Sequence, residues 1–415
     1  MTFARSILIA AIVAGTPFQD TILSATPLRQ MGRSFAILPL LLLLLLDLAG
    51  WLAFPRKVLN LKVVMAICYI SLLTTAYLGV FGVSWNDVSL PLKAANMIIV
   101  SAIAVYAVVG IDWTASPYLS VAVKTAFVVT VAGILLCDLD FLGLGSVANS
   151  AVFHQTANPD LRWRGFNSEA SALSLTLASL GILSAALSIG RWAQIGFIAT
   201  TGLLLAAGGS KGGILTLALV VALSLFTVRG HFGRLCGYLL MAAPIAYLAA
   251  ERFLSLSSLE LLSETATLAT RGTLALWAYF VVLHNPLGVG FGGFYPALSQ
   301  YLPDAIRTAS QLSPIPLNFE EVVLYLTSSE NASAKTMLMN FVVYLGVPFL
   351  LGYFVFVSRI VKTCIRSNHF SLMAAILFVT FALCTYSDSL VSYNVLLVYG
   401  IGWREYRSNG HSSCS

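Results

Sequence analysis

The sequence predicts an all-α fold: a polytopic membrane bundle of about ten to twelve transmembrane helices, with a large extracytoplasmic loop carrying an amphipathic helix. Three observations predict it. Of 415 residues, 58% are hydrophobic and only 10% are charged. The mean hydropathy is +0.88. The apolar residues come in blocks of about 17–25, the length at which a helix crosses a bilayer.

The blocks lie at 6–17, 35–54, 62–82, 94–111, 120–138, 168–188, 192–208, 212–227, 235–250, 336–358, 371–386 and 390–402, the first and last being short. The first reads as a span rather than a removable signal, because no convincing small-residue cleavage site stands before Gln19 and Asp20. Three regions result: N-terminal spans over 1–250 with a short outer loop at 139–167, a long extracytoplasmic loop over 251–335, and C-terminal spans with a cytoplasmic tail over 336–415.

Orientation follows from where Lys and Arg collect. Arg56, Lys57 and Lys62, then Arg191, then Arg229 and Arg234, then Arg359, Lys362 and Arg366, and finally Arg404 and Arg407 fall on one side if there are twelve spans. Short basic loops face the cytoplasm, so both termini are expected there. The setting is a bacterial cytoplasmic membrane, with 139–167 and 251–335 facing the periplasm or the exterior. The formal charge of +6 is scattered between spans with no continuous basic face, which argues against nucleic acid.

Cys68, Cys137, Cys236, Cys364, Cys384 and Cys414 show neither a CxxC pair nor metal-ligand spacing, and the five histidines are equally dispersed. No metal site or cofactor is expected. The lack of a P-loop, HExxH or GxGxxG argues against an ATP-driven pump or a nucleotide-using enzyme. Asp47, inside the second block, is open to two readings, a coupling site of a transporter or a packing residue near the basic end.

The outer segments carry the chemistry. In HQTANPDLRWRGFNSEASALS, Arg162 and Arg164 precede Gly165 and Glu169 at the mouth of the span at 168–188. They read either as interfacial anchors or as a fork for a phosphate, with the acid orienting an arginine or working as a base. In AAGGSKGG the glycines suit a tight hairpin, whereas Lys211 is a cation where short outer loops usually carry none, so an anionic partner is expected. A helix of about 14 residues is expected from Thr270 or Arg271 to just before Pro286. That places Arg271 in a first turn, where the helix dipole disfavours a cation and either a glutamate such as Glu264 or a phosphate must satisfy it. Gly288, Gly290, Gly292 and Gly293 suit a tight turn or a close approach to a ligand. Glu330 and Lys335 open the span at 336–358, where the lysine either snorkels or meets an anion.

The order of these features resembles the O-antigen polymerase and O-antigen ligase superfamily over roughly residues 160 to 350. The resemblance rests on Arg-x-x-Gly from Arg162 and Glu-x-Ser from Glu169, then Gly-Ser-Lys-Gly around Lys211, then the Arg271 helix leading to Pro-Leu-Gly-Val-Gly, and a polar residue before Tyr344-Leu345-Gly346. It implies a membrane glycosyltransferase that takes a glycan on undecaprenyl pyrophosphate as donor and uses no nucleotide sugar. A flippase and a chain-length regulator are the partners it implies.

By matching positions, Arg162, Lys211 and Arg271 form a pyrophosphate clamp, with Arg164 a substitute for Arg162; Gly288 and Gly290, where backbone can approach a ligand closely, are counted with them as pyrophosphate- or glycan-binding positions. Fixed cations in a partly dry cavity stabilise the charge that develops on such a leaving group. Two positions depart from the pattern. Ala170 stands where proline is frequent, and Lys335 stands where ligases carry histidine. A lysine near its usual pKa of about 10.4 cannot accept a proton at neutral pH, so Lys335 favours anion binding. Among the catalytic candidates Glu169, Arg271, Glu330 and Lys335, the base is then Glu169 or Glu330. The expectation shifts from ligase to repeat-unit polymerase, with ligase and lipid-linked oligosaccharide flippase as alternatives.

Overall fold

The computed structural model describes residues 2–25, 33–53, 61–86, 88–155, 162–208, 210–227, 258–313, 317–327, 333–387 and 392–412. Within them the chain runs α1 (Thr2–Gly15), α2 (Ile37–Ala53), α3 (Leu61–Phe81), a hairpin of β1 (Ser84–Trp85) and β2 (Val88–Ser89), α4 (Leu90–Val105) and α5 (Leu119–Gly133). It continues with α6 (Ala170–Ala186), α7 (Arg191–Ala207), α8 (Lys211–Thr227), α9 (Ser258–His284), α10 (Phe294–Leu312), α11 (Glu320–Thr327), α12 (Met337–Arg366), α13 (Phe370–Thr385) and α14 (Tyr393–Ser412). Short π-helical turns extend α4 to Gly110 and α5 to Asp138.

Leu90–Gly110, Leu119–Asp138 and Met337–Arg366 are long and apolar enough to cross a membrane; Phe3–Gly15, Ile37–Ala49, Cys68–Phe81, Ala170–Ala186, Gly212–Val221 and Phe370–Thr385 are shorter apolar helices. The expected span at 235–250 lies outside the described residues, as do Arg56, Lys57, Arg229 and Arg234.

α6 is the central helix, buried along nearly its whole length with α5, α7, α8, α13 and α14 packed around it. Its small and hydroxyl side chains permit this, because they let neighbouring backbones approach and supply hydrogen bonds where hydrocarbon offers none. Asn394 Nδ2 donates to Ser179 Oγ at 2.8 Å, and Thr176 Oγ1 donates to Asn167 Oδ1 at 3.0 Å.

The bundle has a basic end and a glycine-rich end. At the basic end Arg404 of α14 pairs with Asp112, His369 Nδ1 lies 3.2 Å from Glu405, and Ser120 Oγ donates to the Leu187 carbonyl at 3.2 Å. At the glycine-rich end the Gln19 N–H donates to the Phe166 carbonyl at 2.9 Å, and the Met337 N–H donates to the Ser387 carbonyl at 2.8 Å.

One expectation is corrected. The helix expected to start at Thr270 or Arg271 begins at Ser258 and runs for 27 residues. No glycine or proline interrupts Leu259 to Ala269, and leucine, alanine and glutamate favour helix, so nothing stops the helix short of Arg271. Arg271 therefore sits mid-helix, and the dipole argument for an external anion falls away. In the same region α10 has polar Gln300, Asp304, Arg307 and Gln311 beside buried Leu298, Leu302, Ala305 and Ala309. α10 is thus amphipathic, a helix that the sequence reading did not place.

Candidate anion site at the glycine-rich end

Lys335 stands at the entry to α12 in a left-handed backbone conformation, φ 60°. Its N–H donates to Ser333 Oγ at 2.9 Å, and Thr336 then caps α12 by accepting the Met339 N–H at 3.2 Å. The ammonium is 2.8 Å from Glu321 Oε1 and 5.5 Å from the centroid of the Tyr325 ring. Glu321 also accepts from Tyr325 Oη at 2.8 Å and from Thr270 Oγ1 at 2.9 Å, so one carboxylate joins α9, α11 and the head of α12.

Burial works to lower the Lys335 ammonium, but its hydrogen bonds to Glu321 and Tyr325 outweigh that and raise it above its ordinary 10.5. Burial works to raise the Glu321 carboxyl, and the Lys335 and Tyr325 donors bring it below its ordinary 4.5. Burial pushes the Tyr325 hydroxyl up to about 12. At neutral pH the cluster is a charged pair beside a neutral phenol.

Arg271, one residue after Thr270, extends the other way. Its Nη1 donates to the Thr385 carbonyl, the last residue of α13, at 2.8 Å. That carbonyl is an unsatisfied helix terminus, which a guanidinium suits. Arg271 is half-exposed, so part of its fork faces outward.

The next residue, Tyr386, links to the hairpin between α7 and α8. A Cβ at Gly212 would lie 3.0 Å from its ring, and one at Gly213 would lie 2.7 Å from the Ser174 side chain of α6. Those glycines exist because the hairpin is pressed onto α6 and α13. Lys211 is the first residue of α8. Trp163 packs beside Gly208 on the other side of the hairpin, which brings in the arginine segment. Arg162 is exposed, whereas Arg164 is only 7% exposed. The Arg164 and Gly165 N–H groups donate to Asp138 at 3.1 and 2.8 Å, and Arg164 Nη2 is 3.5 Å from Asn149 Oδ1.

A relative is recognisable at this point. Over 259 residues, 61% of this chain, the sequence is 24% identical to an uncharacterized 49.5 kDa protein in the cps region of Klebsiella pneumoniae. The match spans 59% of that protein's length. No family model matches, and no solved structure matches.

The remaining candidates fall in different places. Glu169 is exposed, precedes α6 in extended conformation and accepts from the Ser171 hydroxyl. Glu330 lies outside the described residues. Gly288 (φ 87°) and Gly290 (φ 67°) approach protein backbone: a Cβ at Gly288 would meet the Tyr344 carbonyl at 2.5 Å, and one at Gly290 the Thr74 nitrogen at 2.8 Å. The Val289 and Gly290 N–H groups donate to the Val343 and Tyr344 carbonyls at 2.9 and 2.8 Å, and the Val347 N–H returns to the Pro286 carbonyl at 2.8 Å. α12 breaks at Gly346 (φ 67°) to receive this turn, and Tyr69 Oη donates to the Leu345 carbonyl at 3.0 Å. Irregular backbone among apolar helices must be satisfied by protein, and here two glycine turns satisfy each other.

Asp47 is 2.9 Å from Arg5 and accepts from Tyr106 Oη at 2.7 Å, a packing arrangement at the basic end. Sequence reasoning missed Glu321, Thr270, Tyr325 and the Thr385 carbonyl. Glu320-Glu321 was the available signal, as adjacent acids opposite a lysine in a charge-poor segment.

Proposed function

We propose that this chain polymerises undecaprenyl-pyrophosphate-linked oligosaccharide repeat units into capsule, exopolysaccharide or O-antigen at the outer face of a bacterial cytoplasmic membrane. The observation that carries the reading is the convergence at one end of the bundle of the Arg162 segment, the Lys211 hairpin, Arg271 and Lys335, linked through Thr385, Tyr386 and Ser387. Apolar helices of membrane-crossing length and a relative from a cps region, read as a capsule locus, support it.

In this reading the glycine-rich end faces outward and both termini are cytoplasmic. Arg271 and Arg162 bind the diphosphate of the donor, with Lys211 at the hairpin and Lys335 freed from Glu321. Bidentate and charge-assisted donors suit this, because negative charge grows on the leaving diphosphate as the glycosidic bond breaks. Glu169 is an exposed carboxylate close in sequence to Arg164, and takes the proton of the attacking hydroxyl from a second lipid-linked repeat. The first lipid leaves as its pyrophosphate, so the chain grows at its reducing end. A flippase that delivers repeats and a chain-length regulator are the expected partners.

The test is the size of lipid-linked glycans that accumulate in a deletion strain, resolved by leaflet. Single repeats trapped on the outer leaflet are the expected result. Full-length chains left on the lipid would indicate a ligase, repeats confined to the inner leaflet a flippase, and either would overturn the polymerase reading.

A further inference from the structure

Where the β1–β2 hairpin meets α10, Phe81, Trp85, Pro296, Ser299 and Gln300 line an open surface depression of about 370 Å³. This lies within the range of about 300–1,000 Å³ in which small ligands bind. Its aromatic wall is Phe81 and Trp85, and Trp85 is backed by buried Tyr295, the two rings stacking with centroids 5.0 Å apart and planes 19° from parallel. Lys93 Nζ lies over the Tyr295 ring, 5.5 Å from its centroid. Ser299 and Gln300 form the exposed polar rim.

Two occupants compete for such a surface at a membrane boundary. A tryptophan that anchors a helix in the headgroup layer sits there as an amphipathic ring with its polar edge in the wet interface. Trp85 does otherwise, because its indole N–H donates to Ser299 Oγ at 2.8 Å. The ring is held by that bond and by the stack on Tyr295, with its polar edge taken up by a protein hydroxyl at the surface. A rigid aromatic wall beside a carboxamide and a hydroxyl matches a pyranose, which has an apolar C–H face and a rim of hydroxyls. A lipid chain would leave the Gln300 amide without a use.

We propose that this depression is a saccharide subsite, which takes a sugar ring of the glycan with its C–H face on the Phe81–Trp85 wall and its hydroxyls on Gln300 and Ser299. The inference rests on the reading that the chain handles lipid-linked glycans, and it names a part of the machinery that holds sugar rather than diphosphate. α3 ties the depression to the glycine turn: Thr74 and Leu78 pack on Gly290 and Gly292, and Phe81 at its end lines the depression.

The probe is the repeat-unit oligosaccharide freed of lipid and diphosphate, added to the full chain in detergent micelles and followed by saturation-transfer NMR. Wild type is expected to saturate the sugar protons. Gln300→Ala and Trp85→Ala are each expected to weaken binding about tenfold, equivalent to roughly 1.4 kcal/mol. Trp85→Ala also removes a brace of the hairpin, so Gln300→Ala, an exposed side chain, is the variant that keeps the fold. Absence of probe binding to wild type, or equal binding by wild type and both variants, would overturn the subsite. A change in membrane seating of Trp85→Ala with unaltered probe binding would make the ring an anchor only, and overturn it too. Because the probe has no lipid or diphosphate, the two readings fail separately. A wild type that makes no polymer but binds the probe through Trp85 and Gln300 sinks the polymerase, whereas polymer formation with variant-insensitive binding sinks only the subsite.

Discussion

Lys335 Nζ lies 2.8 Å from Glu321 Oε1, so the cation that the sequence assigns to an anionic ligand already has a protein carboxylate on it. The pair is partly exposed, with side-chain accessibilities of 26% and 48%, and an ion pair in that setting is worth only about 1 kcal/mol or less. A diphosphate with two or more charges can displace a single carboxylate at that cost. The account therefore predicts that Lys335→Gln lowers polymer yield by about tenfold or more, the equivalent of roughly 1.4 kcal/mol of transition-state stabilisation. Lys335→Arg keeps most of it. Full polymer from Lys335→Gln, read on a glycan gel, would remove Lys335 from the site.

The same pair sets a pH window. Glu321 titrates below its ordinary 4.5 in the folded chain, so its contribution is present above that value and is lost as pH falls through the lowered one. Lys335 titrates above its ordinary 10.5, so its contribution is present below that value and is lost as pH rises through the raised one. Limited proteolysis of the connections around α11 should be flat between those limits and accelerate as the pH falls below the ordinary Glu321 value and through the lowered one. In Glu321→Gln that acid step should disappear; an unchanged step would place its origin elsewhere.

Gly346 and Gly288 interlock through backbone, with a Cβ on Gly346 falling 2.2 Å from the Pro286 carbonyl. Alanine at either position meets both a left-handed φ and a filled space. The strain is about 1–2 kcal/mol for the backbone and roughly 1–3 for overpacking. Both variants should lose several degrees of thermal stability in detergent and accumulate poorly in membranes. Gly272→Ala, with nothing within 4 Å of its Cβ, is the neutral comparison.

Asp47 discriminates against a transporter. Its carboxylate is held by Arg5 at 2.9 Å and by Tyr106 at 2.7 Å, so Asp47→Asn should cost stability while polymer is still made. A double-mutant cycle with Arg5→Gln should show coupling of about 0.5–1 kcal/mol. Abolished glycan export with unchanged stability would favour proton or ion coupling instead.

The helices were legible because hydrocarbon leaves few choices: apolar blocks in the sequence became α1 to α8 and α13 within a few residues, whereas α12 and α14 run on past the ends of their blocks to Arg366 and Ser412. Boundaries outside those blocks were not. Arg271 looked like a helix start because the apolar run begins there, yet Ser258 to Ala269 contains no breaker and the helix continues back through it. The site was legible as residue types. Its geometry was not, because Gly212 meets Tyr386 and Arg271 meets Thr385 across more than a hundred residues of chain. Glu321 escaped because its partners Thr270 and Lys335 lie on separate elements. Gly288 and Gly290 answered to Gly346 and Thr74, contacts that no local pattern encodes.

Arg271 bears most directly on the central claim, since the residue is half-exposed and its Nη1 donates to a backbone carbonyl that water can also satisfy. The decisive measurement is reconstitution: full-length chain in vesicles with lipid-linked single repeats, comparing wild type with Arg271→Ala at equal inserted protein. The account predicts a ladder of lipid-linked polymers and release of undecaprenyl pyrophosphate by wild type, with both lost in Arg271→Ala. Equal ladders from the two proteins would contradict the proposed clamp, and no ladder from well-folded wild type would contradict the polymerase itself.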